Sequence, residues 1–177
     1  MPADLNLLVP TVRLKAMQVI NTCADKNVEI LIYCTLRTLE DQARLYRSSR
    51  SLLEIQEKAK KFRDRGFGFL ADVLMDVGPQ PGKLGLHSTK ACCGESFHNY
   101  AEAFDAVPLI NKYPKWDEHS VEYHVYGDAV RDTGLVWAGD WITFKECPHA
   151  QLRAGSNPLK IYSVDQVKNM LRDFGLI

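Results

Sequence analysis

The chain has 177 residues, 46% of them hydrophobic and 25% charged, which is the balance of a soluble globular protein, so we expect a single domain over residues 1–177. Lysine plus arginine equals aspartate plus glutamate at 22 each, and no overall basic charge favours nucleic acid as a partner. The N-terminus lacks a secretory signal pattern and no stretch approaches the about 20 apolar residues of a membrane helix, so we expect synthesis in the cytoplasm and no stable membrane insertion.

Helix and strand patterns alternate in the first third of the chain. Thr11 can cap a helix whose apolar residues recur at helical spacing as far as Cys23. The run rich in β-branched residues from 28 to 34 predicts a strand. Thr38 with Asp41 resembles a capping box, which predicts a second helix after it.

The middle of the chain moves from a helix into an irregular segment. An apolar stripe over residues 52–62 predicts a third helix, which Gly66 and Gly68 are expected to stop. The glycine- and proline-rich cluster at 78–82 opens an irregular stretch that lasts to about Ser96. That stretch is long enough for a functional loop.

Short strands dominate the second half of the chain. Strands are predicted at 103–109, 135–137 and 149–152, with a helix between the first two, and a final helix is predicted from Ser163 to Gly175. Helices come first and strands later, without regular βαβ alternation. This order favours an α+β fold with a small, largely antiparallel sheet flanked by helices.

Two segments carry the residues that suit catalysis. Each combines histidine with a carboxylate, and a catalytic zinc commonly takes three ligands from histidine, aspartate and glutamate while a fourth position holds water. The first segment is Ser96-Phe97-His98-Asn99-Tyr100-Ala101-Glu102-Ala103-Phe104-Asp105, and the second is Trp137-Ala138-Gly139-Asp140-Trp141 followed by Glu146-Cys147-Pro148-His149.

The spacing of His98 and Asp105 limits how they can share an ion. Seven residues along one helix separate two backbones by roughly 10 Å, and an odd separation on a straight strand points two side chains to opposite faces. The chain must therefore turn between them, before the strand that carries Asp105. Pro148 argues against a helix through Glu146 and His149, which places Glu146 on a loop and His149 at the start of a strand.

Spacing alone leaves simpler interpretations open. A lone His98 or His149 is more often a surface or hydrogen-bonding residue than a ligand, whereas a carboxylate inside the apolar strand around Asp105 is costly unless it is paired or bound to metal. The main rival metal site is a structural zinc, although adjacent cysteines splay apart and no C-x2-C pair exists. Its members would be Cys92, Cys93, Cys147 and His149.

The motifs resemble the D-alanyl-D-alanine carboxypeptidase and dipeptidase family, which includes vancomycin-resistance peptidases and phage L-alanyl-D-glutamate endopeptidases. Residues 96–105 are similar to its S-x-H-x-x-G-x-A-x-D signature, and residues 134–141 are similar to its G-L-x-W-G-G-D-W element. Residues 146–149 resemble its [ED]-x-P-H element, and residues 36–46 resemble its Y-R-[ST]-x-x-x-Q-x-x-L-Y element. The match spans about 28–152 in the expected order, and it implies a fold of the hedgehog and D-Ala-D-Ala-peptidase type.

The resemblance implies zinc as the cofactor, with His98, Asp105 and His149 as its ligands. It also makes Glu146 the general base, which takes a proton from the attacking water and passes it to the leaving amine.

Three further residues gain roles from the same resemblance. Arg37 is implied to face the scissile carbonyl oxygen or a substrate carboxylate, with an ion pair to a neighbouring carboxylate as the simpler alternative. Ser96 and Gln42 match positions associated with substrate binding or ordering of the site. Two departures matter, because Ala101 and Ala138 replace motif glycines. A backbone that needs positive φ at either position would be strained by the added methyl group.

The resemblance implies a monomeric zinc peptidase that acts on the stem peptide of peptidoglycan. By likeness to the compact phage members, we expect cleavage of the L-alanyl-D-glutamate bond by a bacteriolytic endolysin of a phage or prophage. Such a protein would be made in the host cytoplasm and would reach the periplasm and cell wall through a holin-type pore. The enzyme rival is a D-alanyl-D-alanine carboxypeptidase or dipeptidase. The non-enzyme rival is a zinc-stabilised wall-binding module, against which the presence of Glu146 argues.

Overall fold

A computed structural model describes residues 2–48, 50–78 and 89–177, and over these residues the chain forms six α-helices and five strands. The helices are α1 (Pro10–Asp25), α2 (Leu39–Arg47), α3 (Leu52–Asp64), α4 (Gly68–Asp76), α5 (Val121–Asp132) and α6 (Val164–Asp173). The strands are β1 (Glu29–Cys34), β2 (Ala103–Ile110), β3 (Tyr113–Pro114), β4 (Val136–Trp137) and β5 (His149–Gln151). Much of the predicted irregular stretch from 78 to 96 lies outside the described residues.

The strands form one sheet in the order β1-β2-β5-β4, with β3 paired to β2. Every pairing within the described ranges is antiparallel. The predicted α+β fold with a small antiparallel sheet is therefore confirmed. Its central strand, β2, is buried along most of its length, as expected for a strand with a neighbour on each side.

Side-chain caps start several of the predicted helices. The Thr38 hydroxyl accepts a hydrogen bond from the Asp41 amide at 3.0 Å, so the predicted start of α2 is confirmed. Ser163 and Gln166 form a complete capping box ahead of α6, which confirms that start as well. Each cap satisfies amides that the first turn of a helix leaves without an intrahelical acceptor.

Two predicted helix boundaries are wrong. Thr11 lies inside α1, because Pro10 occupies the first helical position, where its fixed φ and missing amide suit a helix start. Gly66, with φ of 83°, follows the end of α3 as predicted. Gly68 does not stop a helix, because it is the first residue of α4. The sequence alone does not show whether a glycine near a helix end stops that helix or begins the next one.

The chain divides into two compact units. The first comprises Met1–Leu36 and Ala101–Ala154, and the second comprises Arg37–Tyr100 and Gly155–Ile177. The expectation of a single domain over 1–177 stays a prediction. Within the described residues, no helix has both the length and the apolar character that crossing a membrane requires.

The first unit holds the sheet together with α1 and α5. Its core joins apolar side chains of both helices to those of β1 and β2, including Val19, Tyr126, Ile32 and Phe104. Because side chains alternate along a strand, the residue after Phe104 points to the opposite face of β2 from that core residue. That residue is Asp105.

The second unit is built from α2, α3, α4 and α6. Its core includes Leu39, Phe62, Leu70, Tyr100 and Leu171, all of them essentially inaccessible to solvent. Helix packing therefore supports the short turn that ends at Tyr100 and carries His98.

Candidate metal centre

Asp105 and His149 lie directly opposite each other on β2 and β5. Directly opposed residues of an antiparallel pair project to the same face, which brings the two side chains together. Nδ1 of His149 is 3.0 Å from Oδ1 of Asp105, and both residues are less than a tenth exposed. The first unit thus brings together two of the three residues that the sequence indicates as zinc ligands.

The chemistry of this pair fits a divalent metal ion. Two ligands of a tetrahedral zinc at 2.0–2.1 Å are separated by about 3.3 Å, close to the distance that joins the imidazole and carboxylate atoms here. A buried carboxylate also needs a compensating charge or hydrogen bonds. Asp105 and His149 are therefore suitable as members of a zinc site.

Cys34 is a neighbour of Asp105 that the motifs do not reveal. It lies opposite Asp105 on the other side of β2, after a shift in register between Ile32 and Cys34 that leaves Tyr33 as an extra residue. Such a bulge moves the following side chain to the other face of the strand. The Cys34 sulfur lies within 4.8 Å of the Asp105 carboxylate. The bulge brings the Cys34 thiol to the same face as Asp105, and no pattern in the sequence predicts this bulge.

The turn that carries Glu146 is not helical, as predicted. The His149 amide donates to the Glu146 carbonyl at 2.9 Å, and the Glu146 amide donates to the Ala138 carbonyl at 3.3 Å. The hydroxyl of Tyr126 donates to the carbonyl of Pro148 at 2.9 Å and anchors the turn to α5. His149 is the first residue of β5. Both placements, Glu146 on a loop and His149 at a strand start, are confirmed.

The tryptophan motif has a structural role at Trp137. This residue is 6% exposed, and its indole nitrogen donates to the Cys147 carbonyl at 2.7 Å. Trp141 is only partly buried, and its ring centre lies 5.8 Å from that of His149. Asp140, the acidic residue of this motif, accepts hydrogen bonds from Arg131 at 2.9 and 3.0 Å.

His98 is held by a short helical turn, Phe97–Tyr100, of the second unit. It is 2% exposed, its amide donates to the Ser96 hydroxyl at 3.4 Å, and its carbonyl accepts from the Arg37 amide at 3.1 Å. Ser96 therefore orders the turn that presents His98. The predicted turn between His98 and Asp105 is confirmed, because β2 begins only at Ala103.

Gln42 and Asn99 order the backbone and side chain of Arg37. The guanidinium of Arg37 donates to the Gln42 side chain at 2.8 Å, and Gln42 donates in turn to the Ala91 carbonyl at 2.7 Å. The Asn99 amide group donates to the Arg37 carbonyl at 2.9 Å. Asp41, a carboxylate near Arg37 in the sequence, forms an ion pair with Arg44 at 3.0 Å. Gln42 therefore orders the side chain of Arg37, while its role in a working site stays a prediction, and the contact of Asn99 with Arg37 was not foreseen.

The two glycine replacements differ in their backbone. Ala101 has φ of 53°, in the left-handed region where an L residue is strained. Ala138 does not have positive φ and lies buried in a short 3-10 turn. The condition for strain is therefore met at Ala101 and not at Ala138, where the backbone needs no glycine.

Two cysteines of the rival structural zinc site are held as neutral thiols. A hydrogen bond with Cys92 and burial raise the pKa of the Cys93 thiol well above its usual range. Burial, followed by the charge of Glu118, raises the pKa of Cys147. A thiol binds zinc or attacks a substrate as its thiolate, which these surroundings disfavour.

Near Asp105, Tyr126 keeps its hydroxyl proton. Burial raises the pKa of Tyr126 well above its usual range, and the negative charge of Asp105 raises it further. The neutral hydroxyl is the form that donates to the Pro148 carbonyl. The turn before His149 is therefore anchored to α5 as long as Tyr126 keeps its proton.

These features define a protein with a carboxylate and imidazole pair suited to a metal ion, on a small antiparallel sheet of an α+β fold. Residues 90–152 match the model of the peptidase M15 family described as D-alanyl-D-alanine carboxypeptidase. The matched segment contains His98, Asp105, Glu146 and His149, but not Arg37 or Gln42.

Two known proteins are similar to most of the chain. The peptidoglycan L-alanyl-D-glutamate endopeptidase CwlK of Bacillus subtilis (strain 168) is 25% identical over 159 residues, which are 85% of this chain and 75% of that protein. The crystal structure of the Serratia marcescens L-Ala D-Glu endopeptidase ChiX covers 84% of this chain and 83% of its own, at 18% identity and a TM-score of 0.45.

Proposed function

We propose that this protein is a zinc-dependent peptidase that hydrolyses the L-alanyl-D-glutamate bond of the peptidoglycan stem peptide. The observation that carries the proposal is the buried pair of Asp105 and His149, whose facing atoms are 3.0 Å apart on neighbouring strands. The family match at 90–152 supports peptidase chemistry, and the similarity to CwlK supports this bond.

Asp105 and His149 would hold the zinc together with His98. The support for His98 is its place in the family motif, its burial, and the fixed turn on which it lies. Zinc, when bound, would supply an activated water by lowering the pKa of that water from 15.7 to about 7.

Glu146 would act as the general base of the reaction. It takes the proton of the attacking water on its carboxylate and gives that proton to the amine of the leaving D-glutamate. The turn from Glu146 to His149 fixes the base relative to the ligand histidine through the 2.9 Å bond that joins their backbones. General acid–base catalysis of this kind contributes roughly 10²- to 10⁴-fold in rate.

Arg37 would stabilise the negative charge that develops on the scissile carbonyl oxygen. An arginine guanidinium stays positively charged at any working pH. That of Arg37 donates a hydrogen bond at 2.8 Å to the side chain of Gln42, which is itself fully buried. A positioned donor of this type is already oriented when the transition state forms, so no reorganisation is needed then.

The test of this function is Glu146→Gln, which keeps size and removes the proton acceptor. We expect zinc content close to one per chain, unchanged thermal stability, and wall-lytic activity lower by at least about 10²-fold. Glu29→Gln is the matched control, since Glu29 is an exposed carboxylate at the start of β1. Activity of Glu146→Gln within a few-fold of the parent would reject Glu146 as the base, and loss of its zinc would make it a ligand.

Metal content tests the ligand set directly. His98→Ala and His149→Ala should each lower the zinc content sharply, as measured by atomic emission on purified protein. Full zinc content in both variants would reject the proposed ligands.

The products of peptidoglycan digestion test the bond. Mass spectrometry should find new N-terminal D-glutamate and no free D-alanine. Free D-alanine alone, or D-alanyl-D-alanine alone, would indicate instead the rival carboxypeptidase or dipeptidase activity.

We also propose that the protein is the monomeric endolysin of a phage or prophage, released to the cell wall by a holin-type pore. The proposal is supported by the resemblance of its motifs to those of phage endopeptidases. Expression in a bacterial host should cause lysis only when a pore-forming holin is expressed with it. Lysis that is equally fast without the pore would reject this route.

A further inference from the structure

Gln151 is the second hydrogen-bond partner of the proposed ligand His149. The two residues are separated by one position on β5, so their side chains project to the same face of the strand. Oε1 of Gln151 lies 3.0 Å from Nε2 of His149, and Gln151 is 1% exposed. The contact is thus buried and lies on the side of the imidazole ring away from Asp105.

The orientation of the Gln151 amide follows from its other partner. Nε2 of Gln151 donates to the backbone carbonyl of Arg153 at 2.5 Å. A carbonyl can only accept, so a flipped amide would set two oxygens against each other. The oxygen of Gln151 must therefore be the atom that faces His149.

An ion pair holds the Arg153 carbonyl in place. Nε of Arg153 donates to the two carboxylate oxygens of Glu102 at 2.9 and 3.2 Å, and the Glu102 side chain is only 4% exposed. The backbone of Glu102 also accepts from the Leu152 amide at 2.9 Å. The two residues that follow Gln151 are consequently anchored to Glu102, in the segment that leads into β2.

This arrangement selects one tautomer of His149. An acceptor at Nε2 requires a proton on that nitrogen, which leaves the lone pair of a neutral imidazole on Nδ1. Nδ1 faces the Asp105 carboxylate at 3.0 Å. Two electron-rich atoms then face each other at a distance that suits a shared cation.

We infer that Gln151 is a positioning residue, which holds His149 in the tautomer that offers Nδ1 to the metal. The inference rests on the proposed zinc function of the same site and adds a residue to which neither the motifs nor the family resemblance gives a role. Hydrogen-bond partners of metal-binding histidines raise metal affinity by about 10- to 100-fold in other sites.

The first test reads the tautomer in the unaltered protein. Nitrogen-15 NMR of histidine-labelled, zinc-loaded protein should show His149 with a proton on Nε2 and with Nδ1 bound to metal. His149→Gln identifies the resonance. A His149 ring that carries no proton on Nε2 would overturn the inference, whatever the activity of the protein.

The second test separates positioning from packing by two substitutions. Gln151→Met keeps the length of the side chain but removes the acceptor, so zinc affinity should fall about 10- to 100-fold in competition with a chelating dye. Gln151→Glu keeps an acceptor oxygen for Nε2 but sets a carboxylate against the Arg153 carbonyl. Its affinity should stay within a few-fold of the parent although its thermal stability falls. Gln18→Met, at an exposed position of α1, is the control for the exchange itself.

The outcomes distinguish this inference from the proposed function. A parent protein that binds and uses zinc, with Gln151→Met of equal affinity, overturns the role of Gln151 and leaves the function intact. A parent protein that takes up no zinc rejects the function instead. The metal-free spectrum then still decides the role of Gln151, since a neutral ring with its proton on Nε2 supports it and a ring that carries a proton on Nδ1 overturns it. If Gln151→Met does not fold, the parent spectrum and Gln151→Glu decide by the same criteria.

Discussion

Ala101 holds a left-handed backbone conformation at the turn between His98 and β2. An L residue there costs roughly 1–2 kcal/mol, whereas glycine is unstrained but loses about 0.4–1 kcal/mol through the greater freedom of its unfolded chain. We expect Ala101→Gly to raise the free energy of unfolding by about 0.5–1 kcal/mol and the melting temperature by a few degrees.

Thermal denaturation of the metal-free protein measures this change without a contribution from zinc. The control is Ala103→Gly, a buried alanine of β2 whose φ is not positive, which should destabilise the protein. An Ala101→Gly variant no more stable than the parent would show that the buried methyl group contributes more than its backbone strain costs.

Cys23 makes stability depend on pH in the alkaline range. It is buried on α1, and burial raises the pKa of its thiol from about 9 to about 11, with a smaller opposing effect of Lys26. The folded state therefore keeps a proton that the unfolded state releases. This contribution is complete below about pH 9 and is lost as the pH rises through about 11.

We expect the free energy of unfolding to fall with rising pH across that window, and Cys23→Ala to flatten the fall. Urea denaturation at a series of pH values on both proteins measures the two slopes. Tyr46, whose pKa burial raises to about 12, should preserve part of the slope in the variant. Identical slopes in parent and variant would contradict the assignment to Cys23.

The indole ring of Trp137 packs so closely against Gly127 and Gly139 that neither position has room for a side chain. A Cβ built on Gly127 of α5 would lie 2.5 Å from the indole ring, and one built on Gly139 would lie 2.3 Å from it. Alanine is the better helix former, but overpacking of a buried ring costs typically 1–3 kcal/mol. We expect Gly127→Ala to lower the free energy of unfolding by that amount.

Gly68 is the matched control for this substitution. It lies in α4, and a Cβ built there meets nothing within 4 Å. Gly68→Ala should therefore be neutral or stabilising by up to about 1 kcal/mol in the same denaturation experiment. A Gly127→Ala variant as stable as Gly68→Ala would show that Trp137 can move aside at little cost.

Elements with a local signal were predictable from the sequence. The Thr38 and Ser163 caps fixed two helix starts, because the hydrogen bonds involved join residues three apart in the chain. Gly68 was misjudged because glycine interrupts one helix and permits another with equal ease. The position of Cys34 opposite Asp105 depends on a bulge, which only the pairing of two distant strands creates.

The residues of the candidate site also differ in whether the sequence alone could reveal them. His98, Asp105 and His149 could be proposed from motif order, and the chain's turn before β2 followed from their spacing. The partner of His149 could not be foreseen, because Gln151 gains its meaning only when residues 149 and 151 share one face of a strand. Asn99 was missed for a related reason, since it acts on the backbone of residue 37, far away in sequence.

For the molecule as a whole, bound zinc should add to stability. A ligand that binds only the folded chain stabilises it by about 2.7 kcal/mol at a free concentration of 100 times its Kd. For a chain of this length that corresponds to a rise in melting temperature of roughly 5–10 °C. Removal of zinc with a chelator should reverse the rise, as measured by scanning calorimetry, and Asp105→Asn should lose the response. A parent protein with the same melting temperature in chelator and in zinc would contradict the proposed metal centre.

The chain passes between its two compact units three times, after Leu36, Tyr100 and Ala154. In genetic terms, a single recombination event anywhere between codons 37 and 153 of this gene and that of a relative would exchange parts of both units at once. Exchange of one complete unit needs three junctions in the same gene. Chimaeras built for altered wall specificity should therefore join their parents at these three positions, and libraries from random single crossovers should yield few folded members.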